Sequence, residues 1–122
     1  MRIAVAAENG SGLEGPICQH FGHAGYFVLV DCEDGVIQQS KSLPNPFAAE
    51  HQPGQIPQFL HEEGVDAVLS EGMGARAIDL FHRWGVTPVT GAQGSVRESV
   101  ELFLAGSLVE SAPCADSVAH GH

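Results

Sequence analysis

Between residues 56 and 106 the sequence alternates repeatedly between helix-period and strand-like segments, and this alternation limits the fold more than any other feature. Ile56, Phe59 and Leu60 recur at helical spacing, Pro57 suits a first helical turn, and Gly64 suits a left-handed cap after the last one. "VDAVLS" then reads as a strand, and Ala77, Ile78, Phe81 and Trp84 return to helical spacing until Gly85. "VTPVT" is a second short strand; Pro88 lacks a backbone donor and so belongs near a sheet edge or strand end. Ser95 and Glu98 form a Ser-x-x-Glu capping box ahead of Val96, Val100, Phe103 and Leu104, and Gly106 closes that helix. Strands separated by helices require parallel neighbours joined by right-handed crossovers.

The first half follows another pattern. "IAVAA" is a short apolar run bounded by Glu8-Asn9-Gly10, as expected of a strand buried on both faces. "GYFVLVDC", the turn "EDG" and "VIQQSKSL" predict a hairpin. "PNPFAAEHQPGQ" holds Pro44, Pro46, Pro53 and Gly54 and predicts a long loop, a kind of segment that is commonly functional or mobile. The element order β-β-β-α-β-α-β-α predicts an α/β fold with a mixed five-stranded sheet and three helices on its faces. Strands beginning near Ile3, Val65 and Val86 should be parallel, and those around Phe27 and Ile37 should pair antiparallel beside the first. Residues 1–108 read as one domain and 109–122 as a polar, flexible tail.

A chain of 122 residues can bury roughly 60–70% of its unfolded surface, so no disulfide staple is needed. Cys18, Cys32 and Cys114 are odd in number and lack a C-x-x-C pair, which fits thiols in a reducing compartment. No signal-peptide pattern opens the chain, and no apolar run approaches the roughly 18 residues of a membrane span; a cytoplasmic location is expected. The net charge of -10, with Arg2, Lys41, Arg76, Arg83 and Arg97 scattered, repels nucleic acid and anionic membrane. A local pocket lined by backbone N–H groups can still hold an anion.

"CQHFGHAGYF" places a thiol at Cys18 and imidazoles at His20 and His23 around the turn Phe21-Gly22. These donors suit zinc, copper or iron, although C-x-H-x-x-H is not a standard closed zinc spacing. An ordinary reading stands beside this one: Cys18 packs as a small hydrophobe, His20 bonds to the turn and His23 is solvated. His51, in the proline-rich loop, is a further candidate ligand, while Cys32 reads as structural. "GMGARA" follows a predicted strand and opens a helix, so Gly72, Met73, Gly74 and Ala75 can bring backbone amides to an anion at the positive end of the helix dipole. Met73 adds a soft thioether. The loose G-x-G-x-x-A form does not extend to a dinucleotide site, because Thr90-Gly91 stands where an acid is needed and Glu71 adds negative charge. The alternative is a tight glycine connection without a ligand. Cys114, His120 and His122 suit only weak, unselective ion binding. Nucleophile-elbow, Walker A and H-E-x-x-H patterns are absent from the sequence, leaving a hydrolase little support.

"MRIAVA", "HFGHAGYF", the Asn-Pro loop, "LHEEGVDAVLSEGMGARAIDLF" and "GVTPVTGAQGSVRESVELFLAGSL", in this order over residues 1–108, resemble the dinitrogenase iron-molybdenum cofactor biosynthesis domain family. The resemblance implies a ribonuclease-H-like three-layer fold and members that bind or carry molybdenum-containing or iron-sulfur clusters. Among small stand-alone members the chain looks most like those of sulfate-reducing bacteria associated with a molybdenum-copper sulfide cluster. His20-Phe21-Gly22 matches the family turn and Gly72-Met73-Gly74 the loop before the second helix. His23 stands where the family often has arginine, leaving a weaker, pH-dependent cation.

A two-metal nuclease needs several acids converging on strand ends, and the first strand carries none. The reading is a non-enzymatic carrier or assembly site for an anionic metal-sulfide cluster, docked over Gly74 and contacted by Met73, His20, His23 and Cys18. The competing reading is a regulatory or scaffold domain that binds a partner such as a P-loop ATPase and holds no metal.

Overall fold

β1 (Arg2–Ala7) is apolar beyond its first residue because both of its faces are covered. The computed structural model describes residues 1–48 and 54–110. After β1 come β2 (Tyr26–Glu33), β3 (Val36–Pro44), α1 (Gln55–Glu62), β4 (Ala67–Leu69), α2 (Ala75–Arg83), β5 (Thr87–Val89) and α3 (Val96–Leu104). The strands form one sheet in the order β3-β2-β1-β4-β5. β1 pairs antiparallel with β2 and parallel with β4, and β5 continues the parallel half. The mixed sheet and its strand directions agree with the sequence expectation, and the arrangement is the ribonuclease-H-like one that the resemblance implies.

Alternation along the strands divides the core into two layers. Ile3, Val5 and Ala7 face one side, where Val96 and Val100 of α3 cover them. Ala4 and Ala6 face the other, together with Phe27 of β2, Ile56 and Leu60 of α1 and Phe81 of α2. Phe27 and Phe81 are fully buried, and each such side chain stabilises the fold by roughly 1.5–3 kcal/mol through removal from water.

The hairpin turns at Asp34 and Gly35, with φ of 55° and 76°, the left-handed pair that a two-residue type I′ connection requires. Its pairing shifts between Asp31 and Cys32, a bulge that bends the exposed edge strand β3. Pro88 lies on the opposite edge, opposite Val68, where its missing N–H costs no ladder bond on the outer side. Ser95 and Glu98 make the reciprocal capping box foreseen for α3. β4 and β5 are only three residues long, shorter than the runs "VDAVLS" and "VTPVT" suggest.

At the amino end of β1, Arg2 forks onto Asp31 at 2.8 and 3.2 Å and also donates to the Glu63 carbonyl at 2.9 Å. The hydrogen bond from Arg2 is the main cause that holds the Asp31 carboxyl below its ordinary pKa. Burial pushes the Cys32 thiol upward, which keeps it protonated and unreactive. Among the described residues no helix is long and apolar enough to cross a membrane. His51 and the tail residues Cys114, His120 and His122 lie outside the described residues.

Candidate functional site

Two loops meet beyond the ends of β1 and β4. The first is the 3-10 turn Phe21–His23, closed by the His23 N–H donating to the His20 carbonyl at 3.0 Å. Phe21 anchors it: the ring is buried and stands 5.6 Å from Phe27 and 5.8 Å, edge-on, from Phe81. Because that ring points into the core, the flanking His20 and His23 are left on the surface. Asn45, itself buried, supports the turn from behind: its side-chain amide donates to the Ala24 carbonyl at 2.9 Å, and its backbone N–H donates to the Gly25 carbonyl at 2.9 Å.

The second loop runs from Ser70 to Gly74. The Ser70 hydroxyl, fully buried, donates to the Gly72 carbonyl at 2.8 Å. Gly72 is sewn to the first loop in both directions, its N–H donating to the Gln19 carbonyl and its carbonyl accepting from the Phe21 N–H, each at 3.0 Å. A Cβ on Gly72 would lie 3.2 Å from the Gln19 oxygen, so the close approach of the two backbones itself calls for glycine. Gly74 differs. Its φ is -66°, and a Cβ there would meet nothing within 4 Å.

The result is an open hollow of about 490 Å³ lined by His20, Phe21, Gly22 and His23 on one side and Gly72, Met73 and Gly74 on the other. The structure thus brings together both loops singled out in the sequence. Ala75 follows as the first residue of α2, whose amino end has no side-chain cap. The first-turn N–H groups of such a helix have no intrahelical partner. In α3 the equivalent end is closed by the chain's own Ser95 and Glu98. Arg76, in the first turn of α2, is exposed. It is not among the residues that line the hollow, and it stands two positions after Gly74 in the chain.

Cys18 does not join the lining. It packs with Ala6, Phe21 and Ala24 in the α1/α2-side core, and its thiol donates to the His20 carbonyl at 3.3 Å. The C-x-H-x-x-H segment therefore does not fold into a three-donor chelate. Among the described residues no group of three or more His, Cys, Asp or Glu is placed to hold a metal ion. The small-hydrophobe reading of Cys18 matches its packing; His20 and His23 are the donors that face the hollow. Their ring centres are 6.1 Å apart and nearly perpendicular. Met73 is half-buried against the core and is among the residues of the opposite wall.

A family model described as dinitrogenase iron-molybdenum cofactor matches residues 1–106. The fold superposes on the apo form of the orange protein of Desulfovibrio gigas with a TM-score of 0.82, 28% identity, and coverage of 92% of this chain and 93% of that one. It also superposes on the crystal structure of PH0822 with a TM-score of 0.79, 32% identity, and coverage of 93% and 99%. An uncharacterized protein of Methanocaldococcus jannaschii is 26% identical over 110 residues, 88% of this chain and 89% of its own length.

Proposed function

The chain belongs to the dinitrogenase iron-molybdenum cofactor family, and from that premise we propose that it carries or assembles an anionic metal-sulfide cluster in the hollow between residues 20–23 and 72–74. The observation that carries this reading is the convergence of the two loops into one surface hollow whose walls offer two imidazoles, a thioether and glycine backbone. The cluster is of the molybdenum-copper or iron-sulfur type in this reading. No carboxylate, hydroxyl or thiol side chain is among the lining residues, so the two imidazoles have no side-chain nucleophile beside them to activate. We therefore infer a carrier and not an enzyme.

A polyanion gains no long-range attraction from a chain of net charge -10. Binding rests on local contacts: the N–H groups at the start of α2, the imidazoles and the soft surface of Met73, with the charge of Arg76 in the first turn of α2 as a nearby field. The helix dipole contributes only about 0.3–1 kcal/mol at an exposed end. Hydrogen bonds, shape and the exclusion of water must supply most of the affinity.

The test is elemental analysis and a visible spectrum of protein isolated from its native source, together with retention of a reconstituted molybdenum-copper sulfide cluster by a His20→Ala/His23→Ala variant. Both side chains are exposed, so the variant should keep its fold by circular dichroism while losing most of the cluster. A coloured native protein with stoichiometric molybdenum, copper or iron supports carriage. A colourless protein with a stably associated P-loop ATPase supports the scaffold reading instead, and unchanged retention by the folded double variant removes the hollow as the site.

A further inference from the structure

We propose that Asn45 is the positioning residue of the hollow: its buried side-chain amide fixes the wall formed by residues 20–23 and ties that wall to the segment that follows β3. The proposal takes the hollow as the cargo site from the reading above, and it concerns a residue outside the lining.

Three polar residues are buried among the described ones: Asn45, Ser70 and Ser99. Two of them hold the loops that form the two walls of the hollow. The Ser70 hydroxyl donates to the Gly72 carbonyl at 2.8 Å, and the Asn45 amide donates to the Ala24 carbonyl at 2.9 Å. Ala24 directly follows the turn Phe21–His23 and donates its own N–H to the Phe21 carbonyl at 3.3 Å. A group that fixes Ala24 therefore fixes the end of the turn that carries His23. Asn45 is itself placed by the sheet. It follows Pro44, which closes β3 opposite Tyr26, and its N–H donates to the Gly25 carbonyl at 2.9 Å. Its side-chain oxygen accepts from the Phe47 N–H at 2.9 Å, and the Phe47 ring stands edge-on to Phe59 of α1 with 6.4 Å between centres. One planar group thus joins the histidine turn to the end of β3 and, through Phe47, to α1.

The chemistry required at this position is narrow. The side chain must give a donor to a carbonyl and an acceptor to an N–H at the same time, which an amide does. The reversed amide would set oxygen against the Ala24 oxygen and N–H against the Phe47 N–H, so the two partners fix which way it faces. A carboxylate offers acceptors only and alanine offers neither; each leaves the Ala24 carbonyl without its side-chain donor. The competing account is that Asn45 adds stability and nothing more. Ser99 provides the comparison, because its hydroxyl is equally buried and donates to the Gln93 carbonyl at 3.0 Å, yet neither residue lines the hollow. Groups that orient the ligands of a metal site from behind are typically worth about 10–100-fold in affinity.

The experiment compares the full-length natural chain with Asn45→Ala, Asn45→Asp and Ser99→Ala, first without cargo by amide NMR and then by retention of the reconstituted molybdenum-copper sulfide cluster. Asn45→Ala should broaden or split the amide signals of residues 20–25, while Ser99→Ala, which also removes one buried hydrogen bond, leaves them sharp. Cluster retention should fall at least about tenfold in Asn45→Ala and stay within about twofold in Ser99→Ala. Asn45→Asp gives a readout that packing alone would not move. Its carboxylate keeps the Phe47 N–H but faces the Ala24 oxygen, and acidification from about pH 7.5 to about 5.5 returns a donor by protonating it, so the signals of the turn should sharpen. The natural chain over the same range controls for titration of His20 and His23. Sharp signals for residues 20–25 in Asn45→Ala, equal disturbance in Ser99→Ala, or no acid recovery in Asn45→Asp overturns the proposal. If Asn45→Ala does not fold, the acid recovery of Asn45→Asp decides alone. A cluster held equally by the natural chain and by folded Asn45→Ala would sink this inference and leave the carrier reading intact. A disturbed turn in Asn45→Ala, with no cluster held even by the natural chain, would do the reverse.

Discussion

The Phe21 N–H donates to the Gly72 carbonyl at 3.0 Å, and this bond joins the two loops that line the hollow. The Gly72 N–H returns a second bond to Gln19 at the same distance, so residues 19–21 and 72 form a minimal parallel bridge beyond the end of the sheet. The separation of His20 from Met73 is thereby set by backbone geometry, not by the long side chains themselves.

That bridge gives the two glycines different fates on substitution. Gly72→Ala places a Cβ 3.2 Å from the Gln19 oxygen, and relief of the clash stretches the bond that Gly72 makes to it. A loss of about 1 kcal/mol in urea unfolding is expected, with weaker cargo binding as a consequence. Gly74→Ala meets open space at an ordinary φ, so unfolding should shift by less than about 1 kcal/mol. Gly74→Pro also fits the φ of -66° but removes one backbone donor, and it should weaken cluster binding at least about tenfold, or about 1.4 kcal/mol. Equal cluster affinity in folded Gly74→Pro would move the cargo away from the start of α2.

Cys18→Ser separates packing from ligation. The thiol is buried and already donates to the His20 carbonyl, a role a hydroxyl can keep, although a more polar group in an apolar layer costs about 1–2 kcal/mol. Stability should fall by that amount while cluster retention per folded molecule stays within about twofold. A larger loss of cluster at unchanged fold would return Cys18 to the ligand set.

Much of this arrangement is legible in the sequence because its causes are local. The box at Ser95 and Glu98, the left-handed glycines at 64 and 85, and the Asp34-Gly35 turn each declare an element boundary through short-range chemistry. The two site loops are recognisable as Gly-rich and His-rich segments after strands. What the sequence hides is direction. Cys18, His20 and His23 are near neighbours in the chain, yet the anchoring of Phe21 between Phe27 and Phe81 accompanies an outward placement of the imidazoles and an inward placement of the thiol. The supporting roles of Ser70 and Asn45 are equally invisible, since each depends on a carbonyl that only the fold brings near.

The Arg2–Asp31 pair makes a prediction about pH. The carboxyl of Asp31 is held below its ordinary value of 3.8 chiefly by the hydrogen bond from Arg2. A depressed folded-state pKa means that the stabilisation is fully present above the unfolded value and is lost as pH falls through the folded one. The difference in melting temperature between the natural chain and Asp31→Asn should therefore be constant from neutral pH down to about 5 and should shrink below about 4. Both partners are partly exposed, so the neutral-pH difference should also narrow in high salt. A difference that grows on acidification would contradict the assignment.

Salt dependence of cargo binding tests which electrostatic influence dominates at the hollow. The whole chain carries -10, and its repulsion of a thiomolybdate anion acts over distances comparable with the Debye length, about 10 Å at 0.1 M salt. The attraction from the α2 amino end and from Arg76 in its first turn acts over a shorter range, where mobile ions screen less effectively. Raising salt from about 10 mM to about 150 mM should therefore remove more repulsion than attraction and tighten binding, as measured by equilibrium dialysis of the anion against metal-free protein. Arg76→Gln should weaken binding at every salt concentration and keep the same direction of salt response, because it removes one nearby cation and leaves the distant field nearly unchanged. Binding that weakens steadily with salt would mean that Arg76 and its neighbours outweigh the net charge, and the hollow would then act as a cationic patch within an acidic molecule.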